Sequence, residues 1–140
     1  TRRCYQYTIL NRPYPCPFQR KNTFFISRYI CLEQAEAICQ TLVGRNNYAA
    51  FQKKGSERLN PVCNVFQANL TRTDDLVIFT IQADAFLRGM VRAIIGTILK
   101  ILQRQNAAKE MERIIANQDR SLAGTSAPAK GLTLTAVKYD

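Results

Sequence analysis

Apolar and polar residues alternate from Cys4 to Leu10, with Tyr5, Tyr7 and Ile9 on one side, which predicts a half-buried β-strand. Pro13, Pro15 and Pro17 cannot continue a central strand, so residues 11–22 read as an irregular connection and 23–30 as a short extended piece. Glu33 to Val43 has helical spacing, with Ala35, Ile38, Cys39 and Leu42 inward and Gly44 as its left-handed stop. Arg45 to Leu59 reads as a polar, basic loop. Two further strand-like runs, Val62 to Arg72 and Leu76 to Ala83, flank Thr73-Asp74-Asp75, which reads as a hairpin turn. Leu87, Met90, Val91, Ile94, Ile95, Ile98, Leu99 and Leu102 recur at three- and four-residue steps and predict one long amphipathic helix from about Phe86 to Arg104. Asn106 is placed to cap a further helix through Asn117, with Met111, Ile114 and Ile115 inward; Gly124 stops a short turn and Leu132 to Tyr139 forms a last strand.

Apart from the extra helix, the order strand, helix, strand, strand, helix, strand is that of a ferredoxin-like α+β fold, βαββαβ, with an antiparallel sheet and helices on one face. The 140 residues suffice for a single domain with one core. The uncovered sheet face would be free to meet RNA or a second domain. Tyr5 or Tyr7 could stack on a base, although alternation alone favours both plugging the core. No Lys-Gly-Phe-Gly-Phe-Val type string occurs, which disfavours a generic RNA-recognition motif.

Charge changes the picture of the long helix. Every fourth residue on one side reads Arg88, Arg92, Gly96, Lys100, Arg104, so like charges line up at a spacing that is mildly unfavourable unless something anionic relieves it. A solvated outer face is the plain alternative. Gly96 within the row costs about 1 kcal/mol against Ala in a helix and marks close approach by another backbone or a ligand. Twenty Lys and Arg against ten Asp and Glu give a net charge of +10, the footprint of a partner rich in phosphate. Because that charge is spread through a chain of ordinary globular composition, nucleic acid fits better than a membrane surface. No apolar run approaches the roughly 18 residues that span a bilayer, and no secretory signal opens the chain, so it reads as soluble and cytoplasmic. It begins at Thr1-Arg2-Arg3-Cys4 and runs at once into a strand, as a piece of a longer protein would.

With no His and no C-x-x-C pair, zinc-finger spacing and imidazole-assisted catalysis are excluded within these residues. The five cysteines, Cys4, Cys16, Cys31, Cys39 and Cys63, read as reduced thiols in or near the core.

Four segments, in order, resemble the carboxy-terminal half of the bacterial tRNA pseudouridine synthase A family. Arg2-Arg3-Cys4-Tyr5-Gln6-Tyr7 resembles its R-x-Y-x-Y strand, and Leu42-Val43-Gly44-Arg45-Asn46-Asn47-Tyr48-Ala49-Ala50-Phe51 its L-x-G-x-x-D-F-x-x-F segment. Ala85-Phe86-Leu87, Met90-Val91-Arg92 and Gly96-Thr97 resemble A-F-x-x-x-M-V-R-x-x-x-G-T. Asp119-Arg120, Ala123-Gly124, Ala127-Pro128 and Gly131-Leu132 with Leu134 resemble the closing D-R-x-x-A-G-x-x-A-P-x-x-G-L-x-L.

The resemblance implies isomerisation of uridine to pseudouridine in the anticodon arm of tRNA by a homodimer, without cofactor or metal, on a base flipped from its stack for attack by an Asp. It assigns Tyr5 to stacking on that base, Arg92 to pairing with the catalytic carboxylate, and Leu132, or Leu134 on the same strand face, to the apolar wall beneath it. Arg88, Arg45, Lys53, Lys54, Arg58 and Lys100 are expected to hold phosphates. The family's nucleophilic Asp lies in a G-R-T-D-x-G-V-H-A motif of the amino-terminal half, which these residues do not contain. The string Arg72-Thr73-Asp74 lacks the flanking glycines and His and falls in a predicted hairpin, so Asp74 reads as a turn former and the chain alone is expected to be inactive. Arg88-Gly89 stands where many members carry two histidines, Cys63 where an Arg is frequent, and Lys100 with Leu102 where Glu and Gly are common. A non-catalytic basic RNA-binding module and a structural or oligomerisation domain are the alternatives.

Overall fold

Strand β1 (Arg2–Asn11) is the axis of the molecule, because both of its edges are paired and its inward residues start the core. In the computed structural model, which describes residues 1–18, 21–55 and 60–138, β1 runs antiparallel to β5 (Leu76–Ala83) from Arg3–Ala83 to Leu10–Leu76. Its other edge is shared. The last strand, β6 (Leu132–Lys138), pairs antiparallel with Arg2 to Tyr7, and β2 (Phe24–Ile26) pairs parallel with Ile9 to Asn11. Beyond β5 lie β4 (Val62–Thr73) and then β3 (Gly44–Asn47), completing a six-stranded sheet. Helices α1 (Leu32–Gln40), α2 (Met90–Ile101) and α3 (Ala107–Asn117) complete a mixed α+β architecture.

The strict alternation of β5 explains its place: Val77, Phe79, Ile81 and Ala83 are buried while the residues between them are half-exposed. Register carries this face across the sheet, with Phe79 opposite both Tyr7 and Leu70 and Ile81 opposite Tyr5 and Ala68. These residues join Ile38 of α1, Ile94 of α2 and Met111 of α3 in one core. Tyr5 and Tyr7 therefore lie on the buried face. The opposite face carries Gln6, Thr8, Asn69, Thr71, Thr80 and Gln82, so stacking from an uncovered sheet face is not available to either tyrosine.

Several expected elements shift. The long helix is shorter than its apolar stripe: α2 begins at Met90, after Gly89 at φ 74° and a turn closed from Met90 N–H to the Leu87 carbonyl, and it ends at Ile101. Arg88 and Arg104 thus stand outside the helix, and the fourfold row of cations is not a continuous rail. The stop expected at Gly44 is not a helix cap. α1 ends at Gln40 and Gly44, at φ 124°, opens β3. That strand lies within the stretch that reads as a loop, as does the 3-10 turn Ala49–Phe51. Tyr48 and Phe51 are fully buried there. Burying one such side chain is worth about 1.5–3 kcal/mol, enough to anchor a segment whose other residues are polar. Asn106 precedes α3 but at φ 59° makes no side-chain cap; its carbonyl accepts from Glu110 N–H. The 23–30 segment is a strand only over β2, and the last strand is described to Lys138, Tyr139 lying outside the described residues.

β4 and β5 meet in a two-residue turn, Asp74-Asp75, with Asp74 at φ 54°, a left-handed conformation that Asp tolerates better than most side chains.

Candidate functional site

The residues after α3 form a strap, 119–128, that lies along α2 and meets it backbone to backbone. A Cβ at position 96 would overlap the Thr125 carbonyl, and one at position 124 would lie 2.5 Å from the Gly96 oxygen, so both glycines are required for the approach. Thr97 fastens it: its hydroxyl donates to the Ala93 carbonyl at 2.7 Å and accepts from Gly124 N–H at 2.8 Å. Arg120 staples the strap to itself through the Gly124 carbonyl at 2.9 Å and the Ser126 hydroxyl at 3.1 Å. The Asp119 carboxylate accepts from both the Ser121 N–H and hydroxyl, which holds it below the usual carboxylate range with Lys54 adding to the effect.

Two side chains of the core end on this strap. Arg92, half-buried on α2, donates from Nε to the Ala127 carbonyl at 2.7 Å, and Ala127 N–H donates back to the Arg92 carbonyl at 2.9 Å. Tyr7, fully buried, donates its hydroxyl to the Pro128 carbonyl at 2.6 Å. Burial pushes the Tyr7 hydroxyl up to about 12, partly countered by the nearby Arg92 charge. Gly131 completes the fit, since a Cβ there would come within 2.8 Å of the Tyr7 ring.

A pocket of about 310 Å³ opens beside this contact, lined by Arg3, Tyr5, Phe86, Arg88, Arg92 and Leu132 among others. Tyr5 is held edge-to-face against Phe86, with ring centroids 4.9 Å apart and planes at 84°. The two tyrosines of β1 thus part company: Tyr7 plugs the core and Tyr5 lines the pocket. Among the described residues no carboxylate pairs with Arg92, so its charge faces the pocket uncompensated.

Of the sequence-derived candidates, Tyr5, Arg92, Leu132 and Arg88 meet in this pocket. Leu134 pairs with Tyr5 in register but is 49% exposed and does not line it. Lys53 and Lys54 line a separate cleft of about 520 Å³ over the strap, together with Arg120 and Ser126. Lys100 reaches the Leu122 carbonyl at 3.4 Å, and Arg104 is bridged to Glu110 at 2.6 Å. Lys100 and Arg104 are therefore met within the chain, by a strap carbonyl and by one Glu. Arg45 is exposed on the β3 edge, away from both cavities, and Arg58 lies outside the described residues. Asp74 is at the far end of the sheet, about 20 Å from Tyr5 at roughly 3.3 Å per strand residue.

Sequence reading passed over three residues of these cavities. Arg3 sits two positions before Tyr5 on the same strand face, and Phe86 belongs to the same string as Arg92, so both carried a positional signal. Arg120 carried only its place in the closing motif. Among the described residues no group of three His, Cys, Asp or Glu side chains could hold a metal, and no helix is long and apolar enough to cross a membrane.

A family model described as tRNA pseudouridine synthase matches residues 38–140. The chain is 33% identical over 135 residues to tRNA pseudouridine synthase A of Acetivibrio thermocellus, covering 96% of this chain and 55% of that protein. It is 34% identical over 140 residues to the protein of that name from Bacteroides fragilis, covering 99% and 55%, and 34% identical over 140 residues to that from a Synechococcus species, covering 98% and 47%. The chain spans about half the length of these curated relatives.

Proposed function

This chain belongs to the tRNA pseudouridine synthase family, and on that premise we propose that the full-length protein carrying it isomerises uridine to pseudouridine in the anticodon arm of tRNA. The reaction breaks the N1–C1′ bond of uridine and joins C1′ to C5, with a proton lost at C5 and one gained at N1. Nothing is added or oxidised, so its balance calls for no cofactor or metal.

The observation that carries this reading is the convergence of Tyr5, Arg92 and Leu132, from three separated segments, on one pocket with room for a nucleoside and not for a duplex. A base would therefore enter flipped from its stack. Tyr5, steadied by Phe86, offers a ring to stack on it. Arg92, anchored through Nε, keeps its remaining donors for a carboxylate that the amino-terminal half supplies, holding it ionised and ready to attack. Leu132 forms the apolar wall, and Leu134, exposed beside it, faces the missing half. Arg88 at the pocket, with Arg45, Lys53, Lys54, Arg58 and Lys100, meets tRNA phosphates. The partial order β6-β1-β5-β4, with α1 and α2 in the crossovers, supports a ferredoxin-like arrangement. The working enzyme is a cytoplasmic homodimer in this reading.

The test is tritium release from tRNA labelled at uracil C5, comparing the full-length protein with this chain. Release by the former alone is expected. No release from either, with salt-sensitive tRNA binding intact, would replace the synthase by a non-catalytic RNA-binding module.

A further inference from the structure

The cleft over the strap is distinct from the base pocket but shares a wall with it. Lys53 N–H donates to the Arg88 carbonyl at 2.8 Å, and the space above Gly89 is filled by the Lys53 side chain, 3.2 Å from where a Cβ would stand. Lys53 faces the cleft while Arg88 faces the pocket. From the cleft the strap runs directly on to the Ala127 carbonyl that holds Arg92.

Among the described residues the cleft carries Lys53, Lys54 and Arg120, and the carboxylate beside it, Asp119, is already engaged by Ser121. Arg120 is not a loose surface cation. Its two hydrogen bonds to Gly124 and Ser126 hold the guanidinium at the cleft, so little further ordering is needed when an anion arrives. The Ser126 hydroxyl on the same lining accepts from Arg120 and keeps its own proton for a phosphate oxygen, whereas that of Ser121 is given to Asp119.

We propose that this cleft is a phosphodiester-binding subsite, with Arg120 as its fixed cation and Lys53 and Lys54 as its mobile ones, that takes the RNA backbone next to the nucleotide held in the Tyr5–Arg92 pocket. It rests on the reading that the pocket receives a base of RNA. A phosphate here clamps the strap against α2, so the cleft steadies the carbonyl that positions Arg92.

The experiment uses the full-length protein and an anticodon-arm stem-loop RNA, with affinity measured against salt concentration. Lys53→Ala/Lys54→Ala is expected to weaken binding about tenfold near physiological salt. It should also flatten the slope of log affinity on log salt by roughly 1.4 to 1.8, the amount for two lost phosphate contacts. Lys109→Ala, an exposed cation on α3 outside the cleft, should leave the slope where it is. An unchanged slope in the double variant overturns the subsite, and so does an equal flattening by Lys109→Ala, which would make the effect one of general charge. Flattening confined to the double variant, together with no tritium release from the unaltered protein, would retire the synthase reading while leaving the subsite standing.

Discussion

Two half-buried arginines, one at each end of the sheet, have opposite surroundings. At the hairpin end, Arg72 donates from one Nη to Asn11 Oδ1 at 2.6 Å and the Ile30 carbonyl at 3.2 Å, and its guanidinium lies 4.9 Å from the Tyr29 ring centroid. Asn11 is itself buried, donating to the Ile26 and Arg28 carbonyls and accepting from Ile30 N–H. Arg72 is thereby absorbed into packing the 26–30 segment, and its Nε is buried without a partner. At the other end Arg92 spends one donor on Ala127 and borders a pocket. Both arginines bond to main-chain carbonyls and neither has a carboxylate among the described residues. Both border cavities, but the one beside Arg72, about 270 Å³, is also lined by Asp75, whereas no carboxylate among the described residues lines the pocket beside Arg92; that separates an arginine packed near a balancing charge from one available to an incoming anion.

Breaking the strap should have the largest effect on this contrast. Gly96→Ala forces a methyl group into the Thr125 carbonyl, and backbone cannot move aside as a flexible side chain can. A loss of about 3 kcal/mol in urea denaturation is expected, at the upper end for overpacking, with the Arg92 end loosened and the Arg72 end intact. Native-state hydrogen exchange of the Gly124 amide against the Ile30 amide reads that difference; equal loosening at both ends would show that the strap is not a local fastening.

Exchanging the arginines sharpens the comparison. In the full-length enzyme, Arg92→Ala should lower the single-turnover rate at saturating tRNA by about 100-fold, roughly 2.7 kcal/mol, with a much smaller change in tRNA affinity. Parallel losses in rate and affinity would reduce Arg92 to a phosphate contact. Arg72→Ala should leave that rate unaltered and cost about 1–2 kcal/mol of stability, since hydrogen bonds and the Tyr29 contact are lost while an unpaired buried nitrogen is removed. A rate defect in Arg72→Ala would erase the distinction between the two ends.

The smallest effect belongs to Tyr7→Phe, which leaves the Pro128 carbonyl without its donor at a cost of about 1 kcal/mol near pH 7. Its pH dependence is more telling. The folded state holds the Tyr7 proton up to about 12 whereas an unfolded tyrosine releases it near 10. The contribution is therefore complete below about pH 10 and is lost as pH rises towards 12. Cys39, pushed up to about 12 by burial with Glu36 adding, acts in the same direction from a lower starting pH. Denaturation midpoints across that range should fall less steeply in Tyr7→Phe than in the unaltered chain; identical slopes would remove the assigned role of the Tyr7 proton.

Much of the fold was legible because its signals are local. The period of two in β1, β4 and β5 sets which side chains share a face, and Asp74-Asp75 between two such runs makes a hairpin. The length of α2 was not, because the apolar stripe continues through Leu87 and Leu102 on either side of the helix that actually forms. β3 was hidden for a related reason: Gly44-Arg45-Asn46-Asn47 has no alternation, and its place comes from pairing with β4 and from the buried Tyr48 and Phe51 that follow. Within the candidate site, Tyr5, Arg92 and Leu132 came from a resemblance, while Phe86 and Arg120 needed coordinates to be seen as neighbours.

Sequence alone determined the strand faces, the net positive charge and the demand for close approach at Gly96, since each depends on residue type and spacing along the chain. Tertiary structure decided that the approaching backbone is the 119–128 strap, that Tyr7 is core while Tyr5 lines a pocket, and that Lys100 and Arg104 are met within the chain. The reason is that a carbonyl satisfies a cation wherever folding brings it, and carbonyls occur at every residue. No pattern of side chains announces which of them will arrive.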